Sequence, residues 1–135
     1  MELRIRASFL LIAGLAFLGG PAAAGGIVVI TNPAVTLSPD DVRDVFLGEK
    51  QLVGGIKLVP VDNTSAQAGF LSKVVRLDAA KYTTAWTKKS FRDGLNPPAV
   101  KATDAEVLEF VKRVPGAVGY VTTAPSDGVN VVRLP

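Results

Sequence analysis

Residues 56–66 read Ile56-Lys57-Leu58-Val59-Pro60-Val61-Asp62-Asn63-Thr64-Ser65-Ala66, and this stretch decides the fold class. Its first half is rich in branched apolar residues, which is typical of a buried strand. Asp62-Asn63 closes that strand, and Thr64-Ser65 supplies the hydroxyl residues that begin helices. Because α/β proteins are built from strands that pass directly into helices, the sequence predicts an α/β fold.

The flanking segments extend this pattern in both directions. Upstream, residues 27–30 form an uninterrupted β-branched run, and Ser38-Pro39-Asp40-Asp41 has the residue types that begin a helix. Downstream, helices are predicted to begin near Thr64, Asp78 and Thr103, and strands are predicted over residues 117–122 and 129–134. The predicted order is β-α-β-α-α-α-β-β. It describes a single domain, residues 25–135, in which helices cover a small mixed sheet.

The first 24 residues have the composition of a secretory signal peptide. Arg4 and Arg6 precede an apolar run over residues 7–18, and Ala22-Ala23-Ala24 follows a Gly-Gly-Pro break. The apolar run is shorter than the roughly 20 residues that span a bilayer as a helix, although an uncleaved membrane anchor is the alternative. We therefore expect cleavage near Ala24 and a periplasmic or secreted protein.

The composition narrows the classes of function. The chain has no His and no Cys, which removes the commonest metal ligands, general bases and thiol nucleophiles. Its formal net charge is only +3, and no aromatic residues alternate with a basic stripe, so no nucleic-acid partner is expected. The sequence predicts a protein that is not an enzyme and that uses no cofactor and no metal.

The strand-to-helix junction is the strongest candidate for a ligand site. In open α/β sheets, ligands bind beyond the carboxyl ends of the strands, where Thr64, Ser65 and Ala66 are predicted to lie. Helix N-termini and hydroxyl groups offer donors to an oxyanion. Thr31 and Asn32 end the first strand and join this site if the two strands are parallel. Helix capping and a simple turn are the alternative structural roles of these residues.

Four basic residues crowd the third predicted helix and form a second candidate surface. They are Lys81, Lys88, Lys89 and Arg92. An exposed helix face explains their presence, and docking to a partner protein or to acidic lipid is the alternative.

Three motifs resemble those of the phosphate-binding proteins of ABC transporters, which have type 2 periplasmic-binding-protein folds. Residues 44–48, Asp-Val-Phe-Leu-Gly, resemble the family's "IFLG" signature. Residues 82–98 contain the Trp, Phe, Gly and Pro-Pro of its short, single-domain members, and residues 114–120 resemble its "PGAIGY" return strand. The resemblance implies a single periplasmic-binding-protein-like lobe.

The same resemblance implies a function and places its site. The family's phosphate loop falls on Thr64, Ser65 and Ala66, so the implied function is to bind phosphate or a similar oxyanion and to feed an ABC transporter. Gln67 stands where short members often carry Arg. The alternative is a periplasmic adaptor or sensory domain of the same fold that docks a membrane protein and binds anions weakly. A homodimer could supply a second wall for a ligand.

Overall fold

A computed structural model describes residues 26–135, and a mixed five-stranded sheet organises them. Its strands are β1 Val28–Thr31, β4 Val59–Asn63, β5 Ala99–Lys101, β6 Ala117–Val121 and β7 Asn130–Val132. Their spatial order is β5-β4-β6-β1-β7. Strand β4 is parallel to both β5 and β6, whereas β1 is antiparallel to both β6 and β7. A separate two-stranded hairpin consists of β2 Leu52–Val53 and β3 Ile56–Lys57.

Four helices connect these strands. Helix α1, Val42–Phe46, follows a 3-10 turn, Pro39–Asp41, and helix α2, Gln67–Phe70, continues into a π-helical turn, Leu71–Val75. Helices α3, Ala79–Asp93, and α4, Asp104–Arg113, are the longer pair. Asp78 caps α3 through the N–H of Lys81, and Thr103 caps α4 through the N–H of Glu106. Both caps lie where the sequence predicts helix starts.

Helices cover both faces of the sheet. Neighbouring residues of β1 point to opposite sides, so Val29 packs with the side chains of α1, α2 and α3. Ile30 packs instead with Val107 and Val111 of α4. Because both faces are buried, the strands carry continuous apolar runs rather than alternating ones. The predicted α/β class, with a small mixed sheet between helices, is confirmed.

Two elements of the sequence prediction are wrong. The strand predicted over residues 56–61 is divided, because Gly54 and Gly55 have φ values of 56° and 80° and turn the chain into the β2–β3 hairpin. The second strand of the sheet therefore begins at Val59 and includes Asp62 and Asn63. Strand β5 was not predicted, because its three residues directly follow two prolines, which are typical of loops.

The predicted signal peptide and its cleavage after Ala24 lie outside the described residues. Within residues 26–135, no helix has the length and hydropathy required to cross a membrane.

Candidate binding site

Three parallel strands end at the same edge of the sheet, and the predicted ligand site lies there. Strand β4 lies between β5 and β6 and runs in the same direction as both, so their carboxyl ends are neighbours. Thr64 follows β4, Asp104 lies close after β5, and Thr122 follows β6. The topology therefore brings together polar side chains from three separate parts of the sequence, as expected for a site at strand ends.

The backbone donors of the predicted oxyanion loop are already hydrogen-bonded within the protein. The N–H of Thr64 donates to the carbonyl of Lys101 over 2.9 Å, and that of Ala66 donates to the carbonyl of Asn63 over 3.0 Å. The N–H of Ser65 donates to Asn63 Oδ1 over 3.0 Å. These hydrogen bonds join β4 to β5 and form the turn into α2. They correspond to the structural alternative for these residues, in which they shape the start of a helix.

The carboxylate of Asp104 accepts hydrogen bonds from three surrounding residues. Asn63 Nδ2 donates to Oδ1 over 2.8 Å. The single proton of the Ser65 hydroxyl is shared between Asn63 Oδ1, at 2.6 Å, and Asp104 Oδ1, at the longer distance of 3.4 Å. The backbone N–H and the hydroxyl of Thr122 donate to Oδ2 over 3.0 and 2.6 Å. We call Asn63, Ser65, Asp104 and Thr122 the Asp104 cluster. It places an anionic group of the protein itself at the strand ends.

The electrostatics of the Asp104 cluster favour a charged carboxylate. Partial burial alone would raise the pKa of Asp104, but hydrogen bonds from Thr122, Asn63 and Ser65 together lower it below its ordinary value. Asp104 also occupies the first turn of α4, where negative charge is stabilised by the helix dipole. An added oxyanion would meet a negative charge at this place.

Thr31 and Asn32 do not belong to this site. Strand β1 is antiparallel to β6, so its carboxyl end lies at the opposite edge of the sheet from the ends of β4 and β6. Asn32 Nδ2 donates to the carbonyls of Val111 and Lys112 over 3.0 and 3.1 Å, which caps the end of α4. The predicted association of Thr31 and Asn32 with Thr64 is wrong, because it required parallel strands.

The four basic residues all lie on α3, but they differ in their surroundings. Lys89 Nζ contacts Glu49 Oε2 at 2.7 Å, and Arg92 contacts the neighbouring Asp93 at 3.2 Å. Lys81 and Lys88 are exposed, and their spacing of seven places them on one face of the helix. The basic surface exists, although ion pairs within the protein already engage two of its four members.

The opposite face of the sheet contains a buried carboxylate that the sequence analysis did not identify as a site. Asp62 precedes Asn63 in β4, and its side chain therefore points away from the Asp104 cluster. The hydroxyl of Tyr120 donates to Asp62 Oδ1 over 2.7 Å, and that of Tyr82 donates to Oδ2 over 2.9 Å. The side chain of Gln67 is a further hydrogen-bond partner of this carboxylate.

Burial controls the protonation of this group. It raises the pKa of Asp62 above the ordinary aspartate value, and the hydrogen bonds from Tyr120, Tyr82 and Gln67 only partly oppose that shift. Burial and the nearby carboxylate also raise the pKa values of Tyr82 and Tyr120, so both phenols remain protonated donors. No local spacing links residues 62, 82 and 120, and only the tertiary structure reveals the group.

The polar side chains at this edge of the sheet are hydroxyl, amide and carboxylate groups. Within residues 26–135, no group of three or more carboxylates is placed to hold a metal ion. The chain has no His and no Cys, so the side chains at this edge act as hydrogen-bond donors, acceptors and fixed charges.

Comparison with known proteins identifies the architecture. Neither a family model nor a curated protein matches this chain. A structure described as a phosphate ABC transporter substrate-binding protein from Clostridium perfringens, with bound phosphate, superposes with a TM-score of 0.58 over 81% of this chain and 44% of its own, at 17% identity. The fold is that of part of a phosphate ABC transporter substrate-binding protein. The crystal structure of PstS from Borrelia burgdorferi also superposes on this chain, with a TM-score of 0.56 at 17% identity. The superposition covers 81% of this chain and 47% of PstS.

The similarity to these substrate-binding proteins is one of fold, because the sequence identity is only 17%. This chain spans less than half of the length of either solved structure. The predicted periplasmic-binding-protein-like lobe is therefore confirmed as a fold. A shared fold does not carry a ligand with it, because binding sites vary on one scaffold.

Proposed function

We propose that this chain is an exported solute-binding protein that takes phosphate or a similar oxyanion and serves an ABC transporter. One observation carries the proposal: the donors of Asn63, Ser65 and Thr122 converge on the two oxygens of a carboxylate at the carboxyl ends of parallel strands. A group of donors that suits one oxyanion has the chemistry to accept another. The fold shared with a protein that was solved with bound phosphate supports this choice of ligand.

The Asp104 cluster also determines how tightly an oxyanion can bind. The Asp104 carboxylate has to leave its donors, or to share them with a proton-bearing ligand, before phosphate can take its place. The Asp104 carboxylate and a phosphate bound beside it would repel each other, because both are negatively charged. The donors of the cluster are also already hydrogen-bonded to Asp104. We therefore expect weak phosphate binding by the natural protein and stronger binding once the negative charge at position 104 is removed.

Calorimetric titration with phosphate, with sulfate as the control, tests this function. We expect Asp104→Ala to bind phosphate about tenfold more tightly than the natural protein, because one unfavourable charge contact of roughly 1.4 kcal/mol is removed. Ser65→Ala and Thr122→Ala in that background should weaken binding. Thr84→Ala, which removes an exposed side chain of α3 outside the cluster, is the matched control. Absence of phosphate-selective heat from both the natural protein and Asp104→Ala would refute the proposal.

A second candidate function is docking to a membrane protein, as an adaptor or sensory domain. The observation in its favour is the exposed basic surface of α3, where Lys81 and Lys88 lie on one face and Phe91 is 89% exposed nearby. Crosslinking in cells should recover a membrane partner, and Lys81→Glu with Lys88→Glu should abolish that crosslink. Recovery of a homodimer instead would assign the surface to self-association.

A further inference from the structure

A cavity of about 560 Å³ opens between α3, the Pro97–Pro98 segment and β5. Asp62 and Gln67 line one end of it, at the carboxyl end of β4. Val100 points to the same face of the sheet as Asp62, its register partner, and α3 leaves Val100 61% exposed. The volume is within the range of small-molecule pockets. It lies on the opposite face of the sheet from the Asp104 cluster.

Among residues 26–135, the Asp62 carboxylate has neutral hydrogen-bond partners and no cationic one. Asp62 is only 2% exposed, and within residues 26–135 the groups that shift its protonation through hydrogen bonds are the neutral side chains of Tyr120, Tyr82 and Gln67. A buried carboxylate without a cationic partner is costly, since neutral donors replace only part of its hydration. This is why burial dominates the raised pKa of Asp62. A positively charged ligand would supply what the protein does not.

Three aromatic residues of α3 contribute to the walls of the cavity. Tyr82 and Trp86 lie one helical turn apart, and Phe91 lines the cavity near the end of the helix. Trp86 Nε1 donates to the carbonyl of Phe46 over 3.0 Å, and Tyr82 donates to Asp62, so these two rings are held in place. Phe91, at the rim, is 89% exposed. Aromatic faces attract cations, and quaternary ammonium groups are recognised by such walls.

We propose that this cavity binds a small organic cation, with its ammonium group lying against the aromatic side chains of α3 and directed at the end of the cavity that Asp62 lines. The combination of a buried, cation-free carboxylate with aromatic walls selects this ligand class over an oxyanion, which Asp62 would repel. Phe91 closes over the ligand from the rim. The inference goes beyond the proposed oxyanion function and is independent of it, because the two sites use different side chains on opposite faces of the sheet.

Trp86 makes the proposal directly testable, because it is the single tryptophan of the chain and lines the cavity. The purified full-length protein is titrated with choline and, in parallel, with 3,3-dimethylbutan-1-ol, which has the same shape without the charge. We expect saturable change in tryptophan fluorescence with choline, at about tenfold higher affinity than with the neutral alcohol. Inorganic phosphate should not compete with choline.

Substitutions separate the charge from the aromatic walls. Asp62→Asn should remove the preference for choline over the neutral alcohol, and Phe91→Ala should weaken choline binding several-fold without unfolding the protein, since its ring is exposed. Leu52→Ala is the matched control: Leu52 is also an exposed apolar residue, at 59%, but does not line the cavity.

The proposal is overturned by equal affinity for choline and the neutral alcohol, or by the absence of saturable binding. It is equally overturned if Phe91→Ala and Leu52→Ala bind choline alike. Should Asp62→Asn fail to fold, the comparison of choline with its neutral analogue still decides the role of charge. Failure of the phosphate titration leaves these outcomes unaffected, so the two proposals fail separately.

Discussion

Replacing Tyr120 with Phe tests the energetic role of the buried carboxylate. The substitution removes one hydroxyl, which donates to Asp62 Oδ1 over 2.7 Å. It keeps the ring, which stacks on Phe70 with centroids 3.8 Å apart and an interplanar angle of 5°, and which meets Phe46 edge-on at 5.6 Å. The change in stability therefore reports the hydrogen bond rather than the packing.

The size of the effect follows from the charge of the acceptor. A hydrogen bond to a charged group contributes about 1.5–3 kcal/mol, whereas one between neutral groups contributes about 1 kcal/mol. Tyr82 and Gln67 remain as donors, so Asp62 is not left without partners. We expect Tyr120→Phe to lower the free energy of unfolding by about 2 kcal/mol at pH 7. That is a large share of the stability of a small domain.

Urea unfolding followed by the fluorescence of Trp86 measures this loss. The same substitution in an Asp62→Asn background completes a double-mutant cycle, and there its cost should fall to about 1 kcal/mol, since the acceptor is neutral. A loss below about 0.5 kcal/mol at pH 7 would refute the reasoning, because surface substitutions without structural consequence already reach that size. Equal losses in both backgrounds would show that the hydroxyl acts independently of Asp62.

Three further predictions concern Gly119, Asn32 and the protonation of Asp62. Gly119→Ala should cost about 1–3 kcal/mol in chemical denaturation, because its Cβ would lie 2.8 Å from Val107 Cγ1 and 2.9 Å from Val61 Cγ1. Asn32→Ala should cost about 1–3 kcal/mol, since it removes buried hydrogen bonds at the end of α4, yet phosphate titrations should not change. The folded state holds the proton of Asp62 more tightly than the unfolded state, so stability should fall as pH rises from the ordinary aspartate pKa through the raised one. Asp62→Asn should lack that decline in pH-dependent melting curves.

Local signals in the sequence predicted several elements correctly. A helix begins at Thr103 as predicted: its hydroxyl accepts from the N–H of Glu106, and the Glu106 carboxylate accepts from the N–H of Ala102. The predicted helix start at Asp78 is also present, and the Asp78 carboxylate accepts from the N–H of Lys81. These predictions succeeded because each depends on residues within one or two helical turns.

Features that depend on distant residues were not accessible in this way. Nothing near Ile30 reveals that β1 runs against its neighbours, because strand direction is set by partners contributed from the far end of the chain. Because β1 runs antiparallel to β6 while β4 runs parallel to it, Asn32 and Thr64 lie at opposite edges of the sheet. Likewise, Ser65 and Asp104 are polar residues at helix starts in the sequence, and only the parallel pairing of β4 with β5 shows that they share a hydrogen-bond network.

The place of β1 between β6 and β7 has a consequence for the order in which the chain acquires structure. Val28 pairs with Val121 and Val29 pairs with Val132, so the first strand obtains both neighbours only after residue 132 has been synthesised. Pairings across such long sequence separations form slowly, since the intervening chain must be closed into a loop first. A nascent chain of this topology would leave the ribosome with its first strand unpaired.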